Sequence, residues 1–277
     1  MNQSPTSDRY RPTHQLRIVT AASLFDGHDA AINIMRRLIQ DGGAEVIHLG
    51  HNRSVADIVK AAVEEDAHAI AISSYQGGHN EFFRYMFDLL KENGAGHIKI
   101  FGGGGGVIVP EEIEALHDYG ITRIYSPEDG RRLGLVGMID HMLETADRDL
   151  LSDIRIDLGA VKSGDRGSLA RLISVLETDS GSSRLGDDWP DTLPEEGSLV
   201  PVVGITGTGG AGKSSFTDEL LNRYLADFES HRVAVLSVDP TRRRTGGALL
   251  GDRIRMNQAR QERVFMRSLA TRAANAE

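Results

Sequence analysis

At 277 residues, the chain is long for one ordinary domain, and its length predicts two. The formal net charge of −9 argues against a general surface for nucleic acid or anionic membrane, and the absence of cysteine excludes disulfides and thiolate metal sites. Residues 1–14 predict a flexible N-terminus without the apolar core of a signal peptide, and no apolar run is long enough to span a bilayer. We therefore expect a cytoplasmic protein that binds neither nucleic acid nor membrane.

Residues 15–146 alternate short apolar runs with amphipathic segments, which is the pattern of repeated strand–helix units. The apolar runs are rich in Ile and Val, as strands buried on both faces are. They predict strands over Leu16–Ala21, Glu45–Leu49, Ala69–Ser73, Ile98–Phe101 and Ile121–Tyr125. Helices are predicted over Asp29–Gln40, Val55–Glu65, Asn80–Asn93, Pro110–Tyr119 and Gly130–Thr145, with Ser54 as an N-cap and Gly42, Gly94 and Gly120 as helix stops. Five such units predict an α/β fold with a flavodoxin-like, doubly wound parallel sheet.

The loop Ser23–Asp29 joins the first predicted strand to the helix after it and contains His28. Ligands of open parallel sheets bind at the carboxyl ends of the strands, where an imidazole can ligate a metal or carry a proton. Asp26 can accept the hydrogen bond of the other ring nitrogen and so fix the tautomer. The alternative is that Asp26 caps the helix and His28 is a surface residue of its first turn.

Three further loops are predicted at the same edge of the sheet, namely Ser73–His79, Gly102–Gly106 and Ser126–Gly130. Five consecutive glycines cost backbone entropy, and such a run is useful where a ligand lies against bare backbone. The alternative for Gly102–Gly106 is a flexible turn without a ligand.

Taken in order, these loops resemble the cobalamin-binding domain of the methylmalonyl-CoA mutase class, whose signature is Asp-x-His-x-x-Gly, Ser-x-Leu and Gly-Gly. The resemblance implies that His28 ligates the cobalt of cobalamin from its lower face, that Asp26 orients His28, and that Ser73 and the glycine loop hold the nucleotide tail. Two residues depart from the family pattern, since Ala31 replaces a glycine and Tyr75 a leucine. The cofactor-binding residues implied are His28, Asp26, Gly27, Ser73, Tyr75, Gly105 and Gly106.

Residues 147–198 have mixed character and predict a linker. Apolar residues at helical spacing predict one short amphipathic helix over Ser168–Glu177. Thr178–Gly197 is rich in Ser, Gly, Asp, Glu and Pro and predicts an exposed connector.

A P-loop motif follows the linker. Leu199–Thr206 predicts a buried strand, and the next eight residues match Gly-x-x-x-x-Gly-Lys-Ser before a helical pattern. In such loops backbone N–H groups surround the phosphates, so Lys213 would neutralise the β- and γ-phosphates and Ser214 would bind Mg²⁺. The predicted nucleotide-binding residues here are Gly207, Gly209, Gly210, Ala211, Gly212, Lys213 and Ser214.

A second strand is predicted over Arg232–Val238, and the carboxylate of Asp239 after it is placed to reach the Mg²⁺ shell. The string that follows, through Met256, resembles the G-protein chaperones of cobalamin-dependent mutases. The resemblance implies Mg²⁺ contacts from Asp239 and Asp252, a nucleotide contact from Arg255, and GTP as the nucleotide. The Asn-Lys-x-Asp loop that selects guanine in such domains does not occur in these 277 residues, so GTP rests on the resemblance.

A cobalamin domain followed by a G domain resembles the fused isobutyryl-CoA mutase family. That resemblance implies adenosylcobalamin, radical interconversion of isobutyryl-CoA and n-butyryl-CoA, and a G domain that serves cofactor loading and protection. We expect residues 199–277 to be the N-terminal part of a GTPase domain, less stable than the first domain. The acyl-CoA would bind a barrel domain missing from this chain, and the full-length protein would be a homodimer.

Three other functions fit parts of the pattern. The chain could be a non-catalytic corrinoid-binding module with a vestigial P-loop, or a GTPase chaperone for a separate mutase. A signalling receiver has the same sheet type, with Asp26 as the phosphorylated residue. No lysine lies at the end of the fifth predicted strand, which argues against the receiver.

Overall fold

The computed structural model describes residues 9–27, 29–152, 156–177, 200–241 and 245–271. The described strands are β1 (Arg17–Ser23), β2 (Glu45–Arg53), β3 (Ala69–Ser73), β4 (Lys99–Gly103), β5 (Arg123–Tyr125), β6 (Val233–Pro240), β7 (Ala248–Leu250) and β8 (Val264–Thr271). The described helices are α1 (Asp29–Asp41), α2 (Val55–Glu64), α3 (His79–Glu92), α4 (Pro110–Tyr119), α5 (Pro127–Ala146), α6 (Leu158–Ser163), α7 (Arg166–Leu176) and α8 (Lys213–Asp227). None of these helices has the length and apolar character needed to cross a membrane.

The larger sheet is parallel and has the strand order β5-β4-β3-β1-β2-β7. Its first five strands are those of the predicted strand–helix units, and their order is that of a flavodoxin-like sheet, which confirms the predicted fold class. Because the chain reverses direction of winding between β2 and β3, the loops after β1, β3 and β4 lie next to one another at the carboxyl edge.

Helices cover both faces of this sheet. Val19 and Ile47 point to the face covered by α2, α3 and α4, and Ile18 and Val46 point to the face covered by α1 and α5. This alternation follows from the two-residue period of a strand. It explains why the strands are apolar at nearly every position.

Two predicted helix signals, Ser54 and Gly120, stand at the ends of α2 and α4, whereas α5 begins earlier than predicted. The Ser54 side chain accepts the backbone N–H of Asp57 at the start of α2, and Gly120 ends α4 with a positive φ of 121°. Ser126 and Asp129 form a capping box, so α5 begins at Pro127. The predicted loop Ser126–Gly130 is therefore mostly the first turn of a helix.

The described part of the linker contains two helices: α7, which corresponds to the one predicted over Ser168–Glu177, and α6, which was not predicted. Asp157 caps α6 by accepting the N–H of Ala160, and Asp165 caps α7 by accepting the N–H of Ser168. These two aspartates are the N-cap signals that the sequence analysis overlooked. The predicted connector Thr178–Gly197 lies outside the described residues.

The strand predicted over Leu199–Thr206 is absent from residues 200–206, which form no sheet, while Leu199 is not described. Val202 is 94% exposed. An extended segment becomes a strand only when a neighbour pairs with it, and in the described ranges β6 pairs with β8 and no strand pairs with residues 200–206.

Strand β7 belongs to the predicted second domain in sequence and to the larger sheet in space. Its residues pair in parallel with β2, in the register Glu45↔Ala248, Val46↔Leu249 and Ile47↔Leu250. Ala248 and Leu250 are fully buried in the same core as β1 and β2. The larger sheet therefore takes its sixth strand from residues 199–277.

A buried ionic cluster attaches the following turn to α2. We call Arg17, Glu64, Glu65 and Arg253 the ion-pair cluster; the four side chains are at most 6% exposed. Arg253 donates to Glu64 Oε2 at 2.9 Å and to Glu65 Oε1 at 3.2 Å, and Arg17 donates to Glu65 Oε2 at 2.5 Å. Burial opposes ionisation of Glu65, but the positive charges of Arg253 and Arg17 outweigh it and lower its pKa.

Candidate cofactor and nucleotide sites

The loops after β1 and β3 are joined through Asp26. This side chain is 3% exposed, and its Oδ2 accepts the backbone N–H of Tyr75 at 2.7 Å. A second hydrogen bond joins the same loops, since Ser23 Oγ at the end of β1 donates to Ser74 Oγ just after β3 at 3.1 Å. The carboxylate therefore holds the two loops together at the carboxyl edge, which is a contact that the sequence analysis did not anticipate.

The glycine loop after β4 packs directly against the loop after β3. Ser74 donates its N–H to Gly103 O at 2.9 Å. A methyl group on Gly104 would collide with the Ser74 carbonyl oxygen, and one on Gly105 would collide with the Tyr75 ring. Glycine at these two positions is thus required by close approach of the two loops.

The Ser73 hydroxyl is an unsatisfied group in this site. Ser73 is 7% exposed, and its Oγ has no hydrogen-bond partner among the described residues. Leaving a buried hydroxyl without a partner costs on the order of 1–3 kcal/mol. A ligand that enters between the loops would satisfy it, so the residues present fit the nucleotide tail of cobalamin.

The remaining residues of the predicted cofactor site are less constrained. His28 lies outside the described residues, so the structure gives no geometry for its ring. Gly27 is exposed and has open space around its Cα, whereas Gly106 has a positive φ of 96° that favours glycine. The carboxyl edge of the larger sheet thus brings together Asp26, Ser73, Tyr75, Gly105 and Gly106.

The P-loop motif precedes α8 as predicted. Gly212 is the N-cap of α8 with a left-handed φ of 84°, a conformation that glycine adopts without strain. Residues 207–212 are exposed, and Lys213 Nζ donates to the carbonyl oxygens of Gly207 at 2.8 Å and Thr208 at 3.0 Å. The loop therefore curls around the ammonium group, and the helix N-terminus beneath it favours anions.

Oxygen atoms gather beside the P-loop serine. Asp252 Oδ1 accepts from Ser214 Oγ at 2.8 Å, and Asp252 Oδ2 accepts from Ser237 Oγ at 2.5 Å. Asp239 Oδ2 is buried without a partner among the described residues. Burial raises the pKa of Asp239 to about 6, and the neighbouring charge of Asp252 adds to this shift.

This oxygen set fits Mg²⁺, which takes hard oxygen ligands and keeps several waters. In the described part of the chain no group of three or more His, Asp or Glu side chains is arranged to hold a metal ion by itself. Ser237 was not predicted, although its place two residues before Asp239 on β6 is a signal that could have identified it.

Arg255 lies beside the candidate Mg²⁺ site, next to the carboxylate of Asp252 that contacts Ser214. Its Nη1 is 3.6 Å from Asp252 Oδ1, its side chain is 68% exposed, and it lines a cavity with α1. None of the described hydrogen bonds joins it to the P-loop. A role in nucleotide binding stays a prediction.

The fold and these two sites define a cobalamin-binding α/β domain joined to a P-loop GTPase segment. Residues 16–126 match the B12 binding domain family, and residues 169–276 match the family of the methylmalonyl Co-A mutase-associated GTPase MeaB. The two matches support cobalamin and GTP as the cofactors of the chain.

Comparison with curated proteins gives the family. Fused isobutyryl-CoA mutase of Geobacillus kaustophilus is 59% identical over 97% of this chain and 25% of that protein, and the one of Cupriavidus metallidurans is 58% identical over 96% and 24%. The pivalyl-CoA mutase small subunit of Xanthobacter autotrophicus is 35% identical over 43% of this chain and 78% of that protein. The chain therefore belongs to the family of cobalamin-dependent acyl-CoA mutases, and it spans about a quarter of the length of the two fused relatives.

Proposed function

We propose that this chain binds adenosylcobalamin at the carboxyl edge of the larger sheet and GTP with Mg²⁺ at the P-loop, as part of an acyl-CoA mutase. The reaction is the interconversion of isobutyryl-CoA and n-butyryl-CoA, for which the bound cofactor supplies the radical chemistry. The observation that carries the proposal is the unpartnered Ser73 hydroxyl beside glycines that pack against Tyr75. It is supported by the match of this region to the B12 binding domain.

In the cofactor site, His28 would ligate cobalt from the lower face and Asp26 would orient it. The Asp26 carboxylate already accepts one hydrogen bond from Tyr75 at Oδ2, so its place is fixed by the loop after β3. A carboxylate fixed in this way can hold an imidazole in one tautomer and make its ligating nitrogen more basic. Ser73 would donate to the nucleotide tail.

The experiment is an absorbance titration of the purified chain with adenosylcobalamin. The expected result is the spectrum of cofactor with its own lower base released, lost in His28→Ala. Ser73→Ala should weaken binding about 2- to 10-fold, the value of one hydrogen bond, without lowering the stability of the cofactor-free chain. A spectrum that stays that of free cofactor in the unchanged protein would contradict the proposal.

A matched control separates binding from folding. Ser54→Ala removes the N-cap of α2 and should cost about 1 kcal/mol of stability while cobalamin affinity stays unchanged. If Ser54→Ala and Ser73→Ala weaken cobalamin binding equally, the effect of Ser73 acts through stability and not through contact with the cofactor.

In the nucleotide site, Lys213 would neutralise the terminal phosphates, and Ser214, Asp239 and Asp252 would hold Mg²⁺ directly or through water. Ser214 and Asp252 are already in contact, and the unpartnered oxygen of Asp239 is buried beside them. Titration with a fluorescent GTP analogue should show Mg²⁺-dependent binding that Lys213→Ala abolishes. ATP that competes as well as GTP would contradict the choice of guanine nucleotide.

The activity and partners of the whole protein are part of the same proposal. The acyl-CoA would bind a barrel domain outside these residues, and the full-length protein would form a homodimer. The enzyme would work in the cytoplasm, and its GTPase domain would serve cofactor loading and protection. Mutase assay and light scattering of a full-length protein that includes this sequence test these points. A monomer that is fully active would contradict the homodimer.

A further inference from the structure

A cavity of about 280 Å³ lies between α1, the carboxyl half of β2 and the turn at residues 251–255. Its polar lining consists of Asn33, Arg36, His48, His51 and Arg255. Ile254 closes one side so tightly that a methyl group on Gly50 would come within 2.6 Å of it. Among the described residues, the cavity shares no lining with Ser73–Tyr75, the glycine loop or the P-loop, and it borders the candidate nucleotide site at Arg255.

Every ionisable side chain in this lining is basic. Arg36 Nε donates to Asn33 Oδ1 at 2.9 Å, and among the side chains that the structure describes no carboxylate forms an ion pair with Arg36. Burial is the main reason that the pKa of His48 falls to about 4, and the positive charges of Arg36 and Arg53 lower it further. A half-buried arginine without a carboxylate partner costs solvation energy that an anion would restore.

We propose that this cavity binds a phosphate-class oxyanion between Arg36 of α1 and Arg255 of the turn. The planar guanidinium group presents paired donors that match phosphate oxygens, and two such groups on opposite walls would hold one anion. The volume suits phosphate or a small phosphate ester and is below the usual size of a pocket for a drug-sized ligand. Within the described residues, the ion pair of Arg255 is a long one of 3.6 Å to Asp252, and its side chain is 68% exposed, so it can turn toward the anion.

This anion would connect the two halves of the molecule. Helix α1 begins at Asp29, immediately after His28, and Arg255 lies three residues after Asp252, which touches the P-loop serine. The anion would therefore bridge the helix that follows the predicted cobalt ligand and the turn beside the predicted Mg²⁺ site. The proposal does not require that cobalamin or GTP binds, and failure of either titration would leave it intact.

The test is calorimetric titration of the full chain with inorganic phosphate at constant ionic strength, in a Lys213→Ala background that weakens phosphate binding at the P-loop. Saturable binding is expected, with a loss of at least about 10-fold in Arg36→Gln, because one charge-assisted hydrogen bond is removed. Arg37→Gln is the control, since Arg37 is the next residue on the same helix and is exposed. Equal affinity in the Arg36→Gln and Arg37→Gln variants would overturn the proposal.

Two further measurements keep the result interpretable. Arg255→Gln changes an exposed side chain and should weaken phosphate binding like Arg36→Gln without affecting folding, so its wild-type affinity would also overturn the proposal. A parallel titration with GDP distinguishes the source of the phosphate. If GDP affinity in the Lys213→Ala background falls in Arg36→Gln, the cavity takes a nucleotide phosphate; if only inorganic phosphate binding falls, it takes a free anion.

Discussion

The ion-pair cluster predicts that Arg253, which follows the P-loop in sequence, stabilises the larger sheet through α2. Arg253→Met removes the donors to Glu64 and Glu65 and a contact to the carbonyl oxygen of Met266, all in a buried environment. Breaking a buried ion pair by removing one partner costs about 3–5 kcal/mol. Both glutamates keep other partners, Lys60 for Glu64 and Arg17 for Glu65, so we expect the lower end, about 3 kcal/mol.

Urea unfolding followed by far-ultraviolet circular dichroism measures this loss, and a thermal scan should show a decrease in Tm of about 6–12 °C. Arg255→Met is the matched control, because it changes the same residue type two positions later on an exposed side chain and should cost at most about 0.5 kcal/mol. Equal losses in the two variants would refute the reasoning. A double change with Glu64→Gln should lose less than the sum of the single changes, since the pair is coupled.

Three further predictions concern the larger sheet and its surroundings. Burial lowers the pKa of His68 to about 4, so the unfolded chain binds a proton that the native imidazole does not, and the free energy of unfolding should fall as the pH drops from about 6.5 to 4. In urea titrations, His68→Asn should remove about 2–3 kcal/mol of that loss. An unchanged pH dependence in this variant would contradict the prediction. Gly104→Ala should cost about 1–3 kcal/mol because its methyl group meets a backbone carbonyl, whereas Gly77→Ala, which has open space, should not. Asp147→Asn should bring the pKa of Tyr10 down from about 12 toward 10 in spectrophotometric titration, because the hydrogen bond to the carboxylate raises it; a pKa that stays near 12 would be the contrary result.

The five strand–helix units and the carboxyl-edge loops were predictable because their signals are local. Apolar runs bounded by glycine give the strands, and Ser54 gives a helix start, without knowledge of any distant residue. Strand order follows from the general rules for parallel sheets. The meeting of the loops after β1, β3 and β4 is then a consequence of topology.

The position of β7 was not predictable in this way, because its sheet partner is about 200 residues away in sequence. Ala248–Leu250 has only three residues, which is too short for a periodic signal. Its register against β2 is fixed by burial of Ala248 and Leu250 in the common core. Residues 200–206 show the converse, since a convincing local strand pattern forms no strand without a pairing neighbour.

The ion-pair cluster was indicated in part by the sequence. Glu64, Glu65 and Asp66 stand at the C-terminal end of α2, where negative charge opposes the helix macrodipole. Arg17 interrupts an apolar strand that is buried on both faces. Each is unfavourable alone, and such violations indicate that cations and anions compensate one another, although they do not tell which pair.

The cluster also links the candidate nucleotide site to helix α2, which packs on the larger sheet. Asp252 and Arg253 are consecutive, and their side chains point to different partners, Ser214 of the P-loop and the glutamates of α2. Any change in the position of Asp252 when Mg²⁺ and nucleotide bind must be absorbed within one peptide unit or passed to α2. Because buried ion pairs are costly to break, we expect Arg253→Met to change nucleotide affinity as well as stability, and Arg255→Met to leave stability unchanged.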